Sequence, residues 1–392
     1  MSRVLIAWEL GSGWGHIVPA LPLVERLRSR GHQVVFAMHD ISRAALGEAA
    51  GAECIKCPSL GGPLANQFPF TADYSQVLFN VGFGDAEVLR GVEGWSKLLE
   101  ERRPDFVLCD HSPTALLALR ATGIKRALIG IGFCCPPPSA FESPLLEDQP
   151  VAWDLRRDEA VILANANWVL KVLGCAPLAR MVELFTEVDE IFLTTFAELD
   201  HFPRRGTPRY YGALTSRLGA PVEWPDVPFP KVFVYTRDFP ALEGLLHYIS
   251  RSQLSAIVYS EEPRPTVRQA TVGEIRFPDR AFDLAHVAST CDLAITNGNH
   301  GTTSAILLAG KPVLVIPTVT EQYMLGQRVE ALGGGGLARP DDLDAVIGGL
   351  LGVLRDGTFS AAARRFQMRY AHINSDDTAP RIVDRIEQLV GC

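Results

Sequence analysis

The 392-residue chain has no dense run of lysine or arginine, and its 37 basic and 45 acidic residues leave a net charge of −8. It therefore lacks the electrostatic footprint with which proteins follow nucleic-acid phosphates or an anionic membrane. The partner expected instead is small and neutral or amphipathic, with no nucleic acid involved. No apolar run reaches membrane-spanning length, and no positively charged stretch with an apolar core precedes the first apolar segment. A protein without a membrane span, located in the cytoplasm, is expected. The eight cysteines are irregularly spaced, which excludes a disulfide framework and reads as reduced thiols in the core. Cys54 and Cys57 have no second ligand pair at zinc spacing, so they predict no metal site; Cys134-Cys135 reads the same way. Fine repeats and low-complexity tracts are absent as well.

What is present begins with Gly11-Ser12-Gly13-Trp14-Gly15-His16-Ile17-Val18-Pro19. The apolar run Val4 to Trp8 before it has strand length, and Ile17, Leu21, Val24 and Leu27 after it recur at helical spacing. The loop thus joins a strand to a helix. Its glycines permit a tight turn and close backbone approach to a ligand, and His16 can take up a proton near neutral pH. The glycine spacing is not that of a dinucleotide fingerprint, which needs a third glycine three residues after the second. NAD is therefore not expected.

Strands then alternate with helices. Strands are predicted at Gln33 to Ala37, Glu53 to Lys56, Asp105 to Cys109, Arg126 to Ile131 and Glu190 to Thr194. Helices are predicted at Ile41 to Ala50 and Pro113 to Ala121. The segment Tyr210 to Gly212 closes this half. The βαβ rhythm is that of a doubly wound parallel sheet. Two insertions, about Pro58 to Gly84 and Phe133 to Val188, carry aromatics that read equally as satellite core or as a binding wall. After the proline-rich stretch Pro221 to Pro230 the alternation resumes with strand Lys231 to Thr236, helix Pro240 to Ser250, strands Ser255 to Ser260 and Val267 to Phe277, and helix Asp283 to Ser289. Strand Asp292 to Thr296, helix Thr302 to Ala309, strand Pro312 to Pro317 and helix Glu321 to Leu332 follow. Helices Leu343 to Leu354, Phe359 to Tyr370 and Ala379 to Val390 end it. Two α/β domains are expected, 1–220 and 231–392, with the last helix able to pack back on the first.

Strand order places candidate residues together. In a 3-2-1-4-5 sheet ligands bind where the order reverses, at the carboxyl ends of strands one and four. His16 follows strand one and Asp110 follows strand four. A carboxylate on one imidazole nitrogen leaves the other to remove a proton from a hydroxyl or amine; the alternative is that Asp110 caps the next helix and His16 satisfies local backbone. His111 is a weaker substitute for either role. In the second half, Thr296-Asn297-Gly298-Asn299-His300-Gly301-Thr302-Thr303 leaves a strand and opens a helix, a natural anion site. It faces Thr236 and Arg237, and Arg237 can pair with a diphosphate. Asn297 or Asn299 as an ordinary helix cap is the alternative. Glu321 and Gln322, at the same rim, suit sugar hydroxyls.

These residues resemble the GT-B glycosyltransferases, and within them the family of UDP-glycosyltransferases and antibiotic- and macrolide-modifying enzymes. Gly15-His16-Ile17-Val18-Pro19 is similar to that family's Gly-His-x-x-Pro element, and Cys109-Asp110 stands where the family has its supporting aspartate. Asn297 to Thr303, Ala309-Gly310-Lys311-Pro312, Pro317, Glu321-Gln322 and Arg328-Val329-Glu330 are similar in order and spacing to its donor motif. The resemblance implies two Rossmann-like domains facing across a cleft and an inverting, metal-independent transfer from a UDP- or TDP-sugar, with no cofactor. His16 and Asp110 would be catalytic. Thr236, Arg237, Asn297, Gly298, Asn299 and His300 would bind the donor, together with Gly301, Thr302, Thr303, Glu321 and Gln322. Trp14, Phe68, Phe70, Phe83, Phe133 and Trp153 would line a site for a partly apolar acceptor. Where the family has a histidine on the diphosphate and a glutamate on the ribose, this chain has Asn297 and Ala305. Two other classes compete: a sugar-nucleotide epimerase, which would act with no acceptor, and a non-catalytic helper binding a sugar nucleotide or a partner enzyme.

Overall fold

A computed structural model describes residues 1–11, 13–58, 71–146, 155–215, 218–260, 275–278, 282–373 and 375–391. The chain divides into two compact units, Met1–Ser216 with Ser375–Cys392, and Arg217–Asn374.

In the first unit, strands β1 (Arg3–Trp8), β2 (Gln33–Met38), β3 (Glu53–Lys56), β4 (Phe106–Asp110), β5 (Lys125–Gly130) and β6 (Glu190–Leu193) pair in parallel in the order β3-β2-β1-β4-β5-β6. Helices α1 (Trp14–Ser29), α2 (Ala44–Ala49), α3 (Tyr74–Leu78), α4 (Glu87–Arg102), α5 (Pro113–Leu119), α6 (Leu155–Val172) and α7 (Glu183–Thr186) connect them. β1 is central, and Val4 to Trp8 are all buried. A parallel sheet covered on both faces needs such an unbroken apolar run rather than alternation. The order reverses between β1 and β4, where Trp8 pairs in register with Asp110.

The second unit repeats the plan with β7 (Lys231–Tyr235), β8 (Ser255–Tyr259), β9 (Ile275–Arg276), β10 (Leu293–Thr296), β11 (Val313–Val315) and β12 (Gly335–Leu337) in the order β12-β11-β10-β7-β8-β9. Its helices are α8 (Leu242–Arg251), α9 (Leu284–Thr290), α10 (His300–Leu308), α11 (Thr320–Leu332), α12 (Leu343–Arg355) and α13 (Gly357–Tyr370). Leu242, Leu245, Leu246 and Ile249 of α8 form one apolar face against Val232, Val234 and Leu350. Each such side chain contributes about 1.5–3 kcal/mol on burial. β10 lies beside β7 with Thr296 opposite Tyr235, so this reversal point also brings two loops together.

The last helix, α14 (Thr378–Val390), belongs to the first unit and packs on α1. Arg30 pairs with Asp384 and Glu387 at 2.5 and 2.6 Å, and His32 Nε2 meets Glu387 at 3.0 Å.

Differences from the sequence expectation are local. The closing segment Tyr210 to Gly212 makes a single parallel bridge, from Tyr210 to Leu193. The proline-rich stretch lies within the second unit. Of the strand expected over Val267 to Phe277, Ile275–Arg276 is observed and 267–274 lies outside the described residues. β12 and α4 are additions. The seven described cysteines are all free thiols.

Candidate active site

The loop after β1 turns tightly into α1, and His16 stands in that helix's first turn. Its Nδ1 lies 2.8 Å from Asp110 Oδ2, with both side chains 15% exposed. The Trp8 ring is stacked on the imidazole at 5.2 Å and 18°, and the Trp8 indole N–H donates to Leu10 O at 2.8 Å. Gly11 has φ +90°, a left-handed value that favours glycine, and a Cβ there would stand 2.3 Å from His16 Nε2. The glycine therefore leaves room for the nitrogen that faces away from the carboxylate.

Asp110 does not cap α5. That helix is instead closed by Glu9, a buried carboxylate that accepts from Thr114 N at 3.0 Å and from the Thr114 hydroxyl. Two further ties fix the segment after β4: Leu10 N donates to His111 O at 3.1 Å, and the Ser112 hydroxyl lies 2.7 Å from Ala7 O. Between them His111 takes φ +46°, strained for a residue with a Cβ. Its ring lies 6.5 Å from that of His16. Burial first, then His16, pushes its pKa down to about 3, so it remains neutral and is no substitute base.

Burial raises the Glu9 pKa to about 7 against the hydrogen bonds from Thr114. The folded state then holds a proton that the unfolded chain releases near pH 4.5, so this group's contribution to stability falls as pH rises from about 4.5 to about 7 and is level above. Glu9→Gln, which keeps the shape without the charge, should remove that slope. Its stability difference from wild type, read by urea denaturation, should change by roughly 3 kcal/mol between the two ends of the window. Equal pH dependence of the two proteins would contradict this.

Of the residues expected at the acceptor wall, Phe133 is buried, meets His111 edge-on at 6.2 Å and lies beside Tyr74 at 5.5 Å. Trp14 opens α1 with the Arg43 guanidinium 4.4 Å above its ring. Phe83, expected at the acceptor wall, is instead 0% exposed and serves as core, where a large apolar ring gains most by burial. Phe68, Phe70 and Trp153 lie outside the described residues.

In the second unit the loop after β10 turns several of the expected donor-binding side chains inward. Asn297 is 0% exposed; its Oδ1 accepts from Arg237 N and its Nδ2 donates to Ile316 O at 2.8 Å. It staples the ends of three neighbouring strands, so its amide is engaged by backbone rather than turned to a ligand. The Thr303 hydroxyl pairs with that of Thr296 at 3.2 Å, and Gln322 Oε1 accepts from Thr318 N at 2.9 Å. Both groups hold the loop internally. Gly298 has φ +87°, and a Cβ there would meet Gln322 O at 2.8 Å. His300 and Thr302 are buried in the first turn of α10, Gly301 is exposed, and Glu321 is half-buried in the first turn of α11. The Arg237 side chain is exposed beyond β7. Asn299 is the N-cap of α10 but makes no side-chain cap bond. Asn299 Oδ1 and Thr236 Oγ1 are buried with no hydrogen-bond partner among the described residues. Buried oxygens of this kind normally have a partner.

Trp8, Glu9 and Thr114 were not singled out by sequence. Trp8 reads as the last residue of an apolar run, and Glu9 and Thr114 are joined only by tertiary structure. Among the described residues no helix is long and apolar enough to cross a membrane.

Two parallel sheets of this order, each with a loop at its reversal point, form a GT-B fold, and the known proteins this chain is similar to are glycosyltransferases. No protein-family model matches the chain. It is 26% identical over 295 residues to a PGL/p-HBAD biosynthesis glycosyltransferase of Mycobacterium tuberculosis (strain ATCC 25177 / H37Ra), covering 69% of this chain and 67% of the relative. The calicheamicin glycosyltransferase CalG4 is similar in structure with TM-score 0.72 and 17% identity, over 100% of this chain and 98% of that one. The spinosyn rhamnosyltransferase SpnG gives TM-score 0.68 at 17% identity, over 98% and 100% of the two chains, and is also known in complexes with thymidine diphosphate and with spinosyn aglycone.

Proposed function

We propose that the chain transfers a sugar from a UDP- or TDP-sugar to a small, partly apolar acceptor with inversion at the anomeric carbon, using no metal or resident cofactor. The observation that carries this reading is the 2.8 Å contact of His16 with Asp110 at the reversal point of the first sheet. Asp110 holds Nδ1, so Nε2 takes the proton of the acceptor hydroxyl. The acceptor oxygen forms its bond to the anomeric carbon while the bond to the diphosphate oxygen breaks, and that oxygen leaves with the electron pair. Backbone N–H groups of Gly301 and Thr302 in the first turn of α10 and the Arg237 guanidinium stabilise the leaving charge, while Gly298 N donates to the Thr296 hydroxyl and Thr303 N to Asn299 O. The acceptor lies along Phe133 and Trp14. TDP bound to SpnG supports a nucleoside diphosphate as the donor group.

Thermal shifts test the donor site, because a ligand that binds only the folded state stabilises it by about 2.7 kcal/mol at a hundredfold excess over Kd. UDP and TDP should stabilise nearly alike and well above the monophosphates, since Ala305 offers no carboxylate to the ribose. Arg237→Ala should lower all diphosphate shifts together, and Glu321→Ala should affect sugar-bearing donors more than bare diphosphates. Absence of any diphosphate shift at millimolar concentration would favour a non-catalytic helper.

A further inference from the structure

The hydrogen bond from His16 to Asp110 engages one edge of the imidazole and leaves its two faces to other groups. Trp8 covers one of those faces. Its indole is 0% exposed and lies nearly parallel to the imidazole, at 5.2 Å and 18°. The indole is itself held: its N–H is bound to Leu10 O, Phe36 packs at 6.5 Å, and the His39 ring lies at 6.0 Å and 60°. Trp8 is also the register partner of Asp110, so one paired step of the sheet supplies both the carboxylate that sets the tautomer and the ring that sets the plane. An aromatic face against a nitrogen base that becomes a cation favours the charged form, most strongly with indole.

We propose that Trp8 is a positioning residue for the base: its indole face orients the His16 ring and stabilises the imidazolium formed when His16 takes the acceptor's proton. This rests on His16 being the general base. Among the described residues, three titratable groups face His16. Asp110 approaches from β4, the His111 imidazole is neutral, and His39, after β2, is held below its ordinary pKa by burial and then by Lys56.

The test is kcat and KM against pH for wild type, Trp8→Phe and Trp8→Leu, with His16→Ala alongside. Trp8→Leu should lower kcat about tenfold while the donor KM stays within about twofold, because the loss falls on the chemical step. The acidic limb of kcat/KM should move down by about half to one pH unit, the direction expected when the cation loses its aromatic neighbour. Trp8→Phe, with a weaker face of similar shape, should recover most of kcat and show a smaller shift of the same sign. NMR titration of His16 in wild type and Trp8→Phe reads that shift without turnover, and so decides the matter even where Trp8→Leu does not fold. An impaired His16→Ala beside a Trp8→Leu of unchanged limb and kcat would overturn the role of Trp8 alone. If His16→Ala turns over normally, the base assignment fails first, and an unchanged His16 titration in Trp8→Phe would then remove the electrostatic role too.

Discussion

His16→Ala should lower turnover by about 10²–10⁴-fold while leaving nucleotide-sugar binding nearly intact, the range that general-base assistance contributes. Two structural facts support the selectivity of that loss. The imidazole belongs to the first unit, at the β1 and β4 reversal point, whereas the donor candidates sit in the second. The ring is also partly exposed rather than core, so its removal leaves no deep cavity. Asp110→Asn should fall between wild type and His16→Ala, since an amide can still meet Nδ1 but does not stabilise an imidazolium. The measurement is kcat with an acceptor that must lose a proton in the transition state, beside a thermal shift with UDP or TDP. Wild-type turnover by His16→Ala would end the general-base mechanism, whatever the donor site does.

Gly11→Ala should cut turnover by about 10²-fold without altering any group that exchanges a proton, because misplacing a reacting group by about 1 Å has that effect. The alanine methyl would stand 2.3 Å from His16 Nε2, so either the imidazole or the loop must shift, and φ +90° opposes a side chain in any case. Gly15 is the control. It belongs to the same loop-to-helix segment, but a Cβ there meets nothing within 4 Å, and Gly15→Ala should gain helix propensity while keeping activity. Both variants would be measured for kcat and for melting temperature. Equal activity of the two would show that the space beside Nε2 is not used by the reaction.

Much of the architecture was legible in the sequence because parallel strands are continuous apolar runs and their flanking helices carry one apolar face. Val4 to Trp8, Val232 to Val234 and the face Leu242, Leu245, Leu246 and Ile249 all state their own structure. β12 did not, for a physical reason. Its Gly335 and Gly336 have no side chains to signal burial, yet a Cβ on Gly335 would lie 1.8 Å from Val313 O: the neighbouring backbone comes so close there that only glycine fits. α4 was readable in principle, since Val88, Val92, Trp95 and Leu99 fall on one helical face, but it adjoins an aromatic insertion that obscured its start. In the site, topology alone brought His16 to Asp110. Sequence could not foresee Asn297 as a staple, since its partners Arg237 and Ile316 are distant in the chain. The same holds for Glu9, whose position beside Thr114 depends on the β1 to β4 crossover.

The return of α14 to the first unit has a consequence for synthesis. The apolar face of that helix, Ile382, Val383 and Ile386, is fully buried, and its ion pairs to Arg30 and His32 complete the first unit. On the ribosome, however, those residues emerge only after Arg217–Asn374 has been translated, an interval of roughly ten to thirty seconds at about 5–20 residues per second. Through that interval the nascent first unit waits with the α1 surface uncovered, and this is the stage at which a chaperone that shields apolar surface would have most to protect. The second unit, by contrast, can fold as soon as its own residues clear the exit tunnel.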